Sequence, residues 1–304
     1  MSKIHLALEK AEKERAEELM KKTFPAPVRD EVVRTDPSPA VPVVRFDTLK
    51  ADASLVSLFE PRSLISEQFR KLRTQLLRLN LAKPAKTIMV TSALQGEGKS
   101  FVAANLAIGI AFDLHLHALL VDCDLRNPSV APMFGYNGVR GIADYLKGRE
   151  EVSNFMVKTE LEKLSLLPGG TIPENPTEII GSQRMAALVE ELKTRYDDRF
   201  IILDATPLLA TAEPDVLAKL VDGVLIVVRA GMTPRETVKQ ALSFLDKDKI
   251  LGVVLNDVNF KYSALGARYF GGDGYSYGYG YGYGKPQEPE KKFLSKFFRS
   301  KTKK

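Results

Sequence analysis

The sequence predicts an α/β fold, a doubly wound and mainly parallel sheet, and three observations carry that expectation. Apolar, strand-like runs recur at 87–91, 118–121, 164–167, 200–203, 223–228 and 250–255. Helix-period patterns at 98–112, 184–195, 213–221 and 234–246 separate most of them. Near-continuous apolar strands alternating with helices imply a parallel sheet covered on both faces. Between the first strand and the helix that follows it stands Ala93-Leu94-Gln95-Gly96-Glu97-Gly98-Lys99-Ser100, the strand–turn–helix context that a phosphate-binding loop requires. In such a sheet ligands sit at the carboxyl ends of the strands, and this loop falls at one of them.

The elements read in order as follows. Residues 4–22 are rich in Ala, Glu, Lys and Leu and lack Gly and Pro, so 1–23 is expected to hold a short amphipathic helix. Pro25, Pro27, Pro37, Pro39 and Pro42 then make 24–45 a linker with little to bury. The main domain spans 46–262, and 263–304 is a tail; both ends are expected to be disordered. From Leu64 to Leu79, Ile65, Phe69, Leu72, Leu76 and Leu79 recur at helical spacing as a packing face. Glu67, Arg70 and Arg73 project elsewhere, and on their plainest reading they are a solvated face with a Glu67–Lys71 pair worth about 0.2–0.5 kcal/mol.

Composition excludes several classes. The 304 residues are 44% apolar, enough for one substantial core. A single cysteine, Cys123, rules out a disulfide within the chain and points to a reducing compartment. His5, His115 and His117 form no metal-ligand spacing. No apolar run reaches the roughly 18 residues of a membrane span, and the N-terminus lacks a secretory apolar region. The net charge of +6 is unevenly placed, with seven lysines and arginines between Lys291 and Lys304. That pattern suits a tail with an acidic partner rather than a nucleic-acid-binding domain.

The chemistry of the loop is direct. Gly96 and Gly98 carry no side chains to obstruct backbone N–H groups around phosphates, Lys99 supplies a point charge, and Ser100 offers a hydroxyl to Mg²⁺. Two further strands deliver carboxylates to the same edge, in Val121-Asp122-Cys123-Asp124-Leu125-Arg126 and Leu203-Asp204-Ala205-Thr206-Pro207. A Mg²⁺ bridging phosphates takes hard oxygen ligands, so one or two carboxylates beside a loop serine meet its needs. Asp204 alone also fits a helix N-cap after a strand.

These three segments resemble the Walker A, Walker A′ and Walker B motifs of the bacterial tyrosine kinases, the autokinases of exopolysaccharide and capsule export, and so imply a P-loop NTPase. The resemblance runs from about Pro61 to Asn259 and includes Glu67-Gln68-Phe69-Arg70-Lys71-Leu72-Arg73, Asn175-Pro176-Thr177-Glu178, Val228-Arg229-Ala230-Gly231-Met232-Thr233 and Gly252-Val253-Val254-Leu255-Asn256. The Pro-linked N-terminal helix further resembles autokinases encoded with exosortase-type loci. The resemblance implies that ATP is held by Gln95, Gly96, Glu97, Gly98, Lys99, Ser100 and Phe101. Ser100 and Asp124 would hold Mg²⁺, with Asp204 helping through the metal's water shell. Asp122 would be the base, with Lys99 and Arg126 beside it in the catalytic set. Asn256 resembles the adenine-contacting asparagine, and fits a turn residue almost equally. Glu67, Arg70 and Arg73 resemble the subunit-interface motif of a ring-like homo-oligomer. A separate membrane polysaccharide co-polymerase as activator, a cognate tyrosine phosphatase and a place at the inner face of the cell membrane follow from the same resemblance. Gln95, where many members have proline, and Ala205-Thr206 depart from the pattern without removing a reacting group.

The tail gives the phosphate a destination. Tyr275, Tyr277, Tyr279, Tyr281 and Tyr283 alternate with small residues, which lets an extended segment present each ring to a deep site. Without the loop the same stretch reads as a Gly-aromatic linker. Phe293, Leu294, Phe297 and Phe298 among cations suit either an anionic membrane surface or a disordered end. A partition or positioning ATPase is the competing class. Its signature lysine would stand where Leu94 does, and it has no use for a tyrosine array. A non-catalytic export subunit would not need Lys99, Asp122, Asp124 and Asp204 together.

Overall fold

The computed structural model describes residues 51–79, 85–195 and 198–258. The expected N-terminal helix, the Pro-rich linker and the tyrosine tail with its basic end therefore lie outside the described residues. Two helices, α1 (Val56–Phe59) and α2 (Leu64–Leu77), precede β1 (Thr87–Ser92). There follow α3 (Lys99–Ala111), β2 (His117–Asp122), α4 (Val130–Met133), α5 (Ile142–Lys147), β3 (Val157–Lys158) and β4 (Leu164–Leu167). Next come α6 (Pro176–Ile180), α7 (Gln183–Arg195), β5 (Arg199–Asp204), α8 (Glu213–Leu220), β6 (Gly223–Arg229), α9 (Arg235–Ser243) and β7 (Ile250–Asn256). The strands form one sheet in the order β3-β4-β2-β5-β1-β6-β7. All pairings are parallel except β3 with β4, so the doubly wound, mainly parallel sheet expected from the sequence is what the chain forms.

Period-two alternation divides the core between the two faces of the sheet. Met89, Leu119, Val121, Ile201 and Leu203 pack with Leu188 and Leu192 of α7 and Leu217 of α8. Ile88, Val90, Leu120, Ile202 and Leu225 pack with α3 on the opposite face. Burying each such side chain contributes about 1.5–3 kcal/mol. Val102 to Ala111 of α3 are all buried, as befits a helix apolar on every side. Asn105 is the polar exception: its amide receives the Ser57 N–H at 2.8 Å and donates to the Ser54 carbonyl at 2.9 Å, fastening the segment before α2 onto α3.

The outer helix α2 departs from its expected packing. Phe69 is buried, with its ring edge-on to Phe101 at 5.6 Å, and Leu72 and Leu76 are partly buried, but Ile65 is 48% exposed. The expected Glu67–Lys71 pair is replaced by Glu67–Arg70, because the Arg70 fork reaches the Glu67 carboxylate and the Pro61 carbonyl together. Arg73 turns inward, donating to the Gly109 carbonyl at 2.8 Å near the C-terminal end of α3, where a cation is favoured.

At the opposite edge of the sheet Asp222 staples the entry to β1. Its Oδ2 accepts from the N–H groups of Lys86 and Thr87 and from the Thr87 hydroxyl at 2.9–3.0 Å, and Oδ1 pairs with Lys193. Burial acts to raise the Asp222 carboxyl, but Lys193 and Thr87 outweigh it and hold it below the ordinary range. A lowered carboxyl contributes stability above its unfolded value near pH 4 and loses it as pH falls through the folded value. Asp222→Asn is therefore expected to cost about 1–3 kcal/mol at pH 7, with the deficit closing below about pH 4. Urea unfolding of both proteins at pH 7 and pH 3.5 checks this, and a deficit independent of pH would contradict it.

Candidate active site

Register brings the chemistry together. Because β5 lies between β2 and β1, its last residue, Asp204, stands level with Asp122 on one side and Val90 on the other. The loop leaving β1 arches over this edge and enters α3. Gly96 and Gly98 have φ of +82° and +90°, a left-handed backbone that glycine adopts without strain. Gly98 is the N-cap of α3 and offers no side chain, so the first N–H groups of the helix remain directed at the space above the loop. Glycine at 98 is required twice over, since a Cβ there would lie 2.1 Å from the Asn256 amide nitrogen.

Lys99 points into the carboxylates. Its Nζ donates to Asp124 Oδ2 at 2.7 Å, lies 3.3 Å from the Ser100 hydroxyl, and stands 3.8 Å from Asp204 Oδ1. Burial works against the lysine's charge, but Asp204, Asp124 and Asp122 outweigh it and raise its pKa. The carboxylates suffer the reverse. Burial, with the neighbouring Asp204 charge, pushes Asp122 up to about 8. Burial also lifts Asp204 to about 6 against the opposing effects of Lys99 and Ser100. Neither oxygen of the fully buried Asp204 has a donor at hydrogen-bonding geometry. Asp122 is better satisfied: Oδ2 accepts from the Ser129 and Val130 N–H groups at 2.9 Å, and Oδ1 from the Asp124 N–H at 3.2 Å.

Two braces hold the loop. Glu97 is 3% exposed and turns away from the phosphate space. Its Oε2 accepts from the Leu94 N–H at 2.6 Å, while Oε1 takes the Thr233 hydroxyl and the Arg229 N–H. The Asn256 amide donates to the Glu97 carbonyl at 2.9 Å. Of the residues expected to touch nucleotide, Glu97 thus turns its side chain to the loop, and Asn256 commits one amide hydrogen to it while lining the cleft. Beside them opens a cleft of about 820 Å³, lined among others by Phe69, Leu72, Gly98, Phe101, Val254 and Asn256. Ligand pockets typically occupy about 300–1,000 Å³. Gln95 lies exposed at the tip of the loop.

Arg126 is not bonded to the Lys99 cluster. Its guanidinium engages Glu213 and Thr177 at the N-terminal ends of α8 and α6. Burial would raise the Glu213 carboxyl, yet the Thr211 and Thr177 hydroxyls and Arg126 keep it low. Glu213 escaped the sequence reading because an acidic residue in a first turn looks like a response to the helix dipole. Glu67, Arg70 and Arg73 lie on α2, away from the carboxylates, and all three are already engaged within the chain, Glu67 with Arg70 and Arg73 with the Gly109 carbonyl.

The set suits Mg²⁺ with phosphate rather than a metal held by protein alone. Ser100, Asp124 and the unpartnered oxygens of Asp204 are hard oxygen donors, while no group of three His, Cys, Asp or Glu in ligating geometry occurs among the described residues. Water and phosphate oxygens must complete the shell, as Mg²⁺ prefers. Without ligands the site costs stability. Its raised carboxyls keep protons in the folded chain that the unfolded chain has lost, so stability falls as pH rises from about 4 to about 8. Asp204→Asn removes one of the competing charges. In chelator and without nucleotide it is expected to raise Tm by about 2–6 °C at pH 8 and by less at pH 5. An equal or greater gain at pH 5 in calorimetry would contradict the assignment.

Comparison with known proteins places this geometry. The ParA family model, described as NUBPL iron-transfer P-loop NTPase, matches residues 83–275. The tyrosine-protein kinase YwqD of Bacillus subtilis is 34% identical over 221 residues, 72% of this chain and 91% of that protein. The tyrosine-protein kinase wzc of Salmonella typhi is 31% identical over 208 residues, 68% of this chain but 28% of that much longer protein. The kinase domain of the Escherichia coli tyrosine kinase ETK superposes with a TM-score of 0.64 at 28% identity, covering 74% of this chain and 84% of that one. A P-loop flanked by three strand-end aspartates, in a chain with these relatives, belongs to the bacterial tyrosine kinase family within the ParA-type P-loop NTPases.

Proposed function

We propose that the chain is an ATP-dependent protein-tyrosine autokinase that phosphorylates its own C-terminal tail, in trans between subunits, and thereby regulates exopolysaccharide or capsule biosynthesis and export. The observation that carries this reading is Lys99 set among Asp124, Asp204 and Asp122 at the start of α3. The N–H groups from Gly96 to Ser100 receive the phosphates, and Lys99 exchanges Asp124 for phosphate oxygen. The cleft between Phe101 and Asn256 takes the adenine. Ser100 and Asp124 would hold Mg²⁺, with Asp204 helping through its water shell. Bound there, the ion would offset the negative charge that develops on the phosphate during transfer.

Transfer forms a bond between the tyrosine oxygen and the γ-phosphorus, breaks the bond to the β–γ bridging oxygen, and releases ADP. A phenol titrates near pH 10, so its proton needs an acceptor at neutral pH. Asp122, whose Oδ1 takes one long contact and whose proton affinity burial raises, would receive it once a bound cation has offset the neighbouring Asp204 and Asp124 charges that favour its protonated form. Arg126 meets the incoming acceptor at the rim.

The chain covers nearly all of YwqD but 28% of wzc. The kinase segment thus occurs both inside a long chain and almost alone. Among the described residues no helix is long and apolar enough to cross a membrane. In this reading a separate membrane co-polymerase brings the enzyme to the inner face of the membrane and activates it, the basic C-terminus adds contact with anionic lipid, and a tyrosine phosphatase resets it. Five phosphotyrosines add roughly −8 to −10 charges to a chain of +6. Unphosphorylated tails then bridge subunits of a ring in which Glu67, Arg70 and Arg73 take part, and phosphorylated tails repel.

The full chain incubated with ATP and Mg²⁺, with and without the activator's cytoplasmic segment, is expected to gain phosphate on Tyr275–Tyr283 by mass spectrometry. Lys99→Met should lower the rate by about 10²-fold or more. ATP hydrolysis without phosphotyrosine in either condition would overturn the reading in favour of a switch ATPase. Light scattering should show phosphorylation-dependent dissociation in the wild type and none when phenylalanine replaces all five tyrosines. Equal dissociation in both would refute the role of the tail.

A further inference from the structure

Arg126 leaves the turn after β2 with its side chain 49% exposed, yet its guanidinium is tied down. Nε and Nη2 both converge on Glu213 Oε1 at 2.9 Å, and Nη2 also donates to Thr177 Oγ1 at 3.1 Å. The Thr177 hydroxyl donates to the same Oε1 at 2.9 Å. The Glu213 side chain is 1% exposed, and a buried carboxylate is strongly destabilising without its cation. The arginine is therefore committed to this corner. Nη1 has no partner among the described residues, and it is the end left for a ligand. Thr211, whose hydroxyl helps hold the Glu213 carboxyl low, relates the corner to the sheet. The hydroxyls of Thr206 and Thr211 lie 2.6 Å apart, and the Thr91 hydroxyl of β1 donates to the Thr206 carbonyl at 2.7 Å.

Position within the sheet decides which substrate this corner serves. The cleft beside the P-loop is lined by α2 and β7, on one side of β1 in the strand order. Arg126, Thr177 and Glu213 lie in the segments that leave β2, β4 and β5, the strands on the other side in that order. Lys99 and the loop already provide for the triphosphate. An untethered arginine would lose side-chain freedom on meeting a second substrate, and a clamped one has lost it beforehand. We propose that Glu213 and Thr177 are positioning residues that aim Arg126 at the tyrosine acceptor, so that they govern use of the acceptor and not of the nucleotide. The assignment rests on the kinase reading above. It also accounts for Thr206, the departure in the third motif, as a link in the support of this corner.

The test uses the full chain carrying Glu213→Gln, Thr177→Val, Arg126→Ala, or Arg126→Ala with Glu213→Gln, and a Gly-Tyr repeat peptide as acceptor in trans. Glu213→Gln preserves shape and an accepting oxygen, and Thr177→Val preserves volume. Each is expected to raise KM for the peptide about tenfold while KM for ATP stays unchanged. The double variant should be no worse than Arg126→Ala alone. Additive losses, or an equal rise in KM for ATP, would overturn the proposal and leave the corner a purely structural contact. A wild type that hydrolyses ATP without making phosphotyrosine would instead overturn the kinase reading. Calorimetric affinity of the same proteins for the peptide then decides the positioning claim without turnover: about tenfold weakening supports it, and unchanged affinity refutes it.

Discussion

The carboxyl edge of the sheet depends on one amine held among three carboxylates. Parallel register sets Asp204 level with Asp122, and the loop from β1 delivers Lys99 between Asp204 and Asp124. One buried cation cannot neutralise three buried anions, so protons are held on the carboxyls and the oxygens of Asp204 stay without donors. Such an edge is strained in charge though not in backbone. Relief comes from a ligand that brings its own cation and its own anionic oxygens, as a magnesium nucleotide does. Fold stability is generated elsewhere, in the two apolar faces of the sheet and in staples such as Asp222.

Around that cluster the supporting contacts divide by side. Toward β6 and β7, Glu97 and Asn256 fasten the P-loop to Thr233, Arg229 and its own backbone. That anchoring supports the loop in the conformation that its left-handed glycines allow. Toward β2 and β5, Glu213 and Thr177 fasten Arg126. Two substrates approaching from opposite sides of β1 would meet over Lys99 and Asp122, the geometry in which phosphoryl transfer is chiefly a matter of positioning.

Much of this was legible in the chain. Strands recognised from apolar runs stand where the sheet has them, because central parallel strands are buried on both faces and tolerate little else. The clustered side chains were legible for a related reason: Lys99, Ser100, Asp122, Asp124 and Asp204 each lie within a few residues of a strand end that the same runs reveal. The outer helix was less so. Its apolar spacing marks a packing face, but Ile65 stays exposed and Arg70 prefers Glu67 with Pro61. A surface helix chooses among partners whose energies differ by a few tenths of a kcal/mol.

Local periodicity and one glycine-rich turn were sufficient by themselves to determine the fold class, the strand–loop–helix placement of Gly96 to Ser100 and the strand ends that carry Asp122, Asp124 and Asp204. These depend on contacts between neighbours in sequence and on the period of burial. The inward turn of Glu97, the use of Asn256 as a brace and the clamp of Glu213 on Arg126 were decided only by tertiary structure. Each joins segments separated by 87 to 159 positions. Which buried carboxylate meets which donor depends on strand order, and no window of sequence contains it.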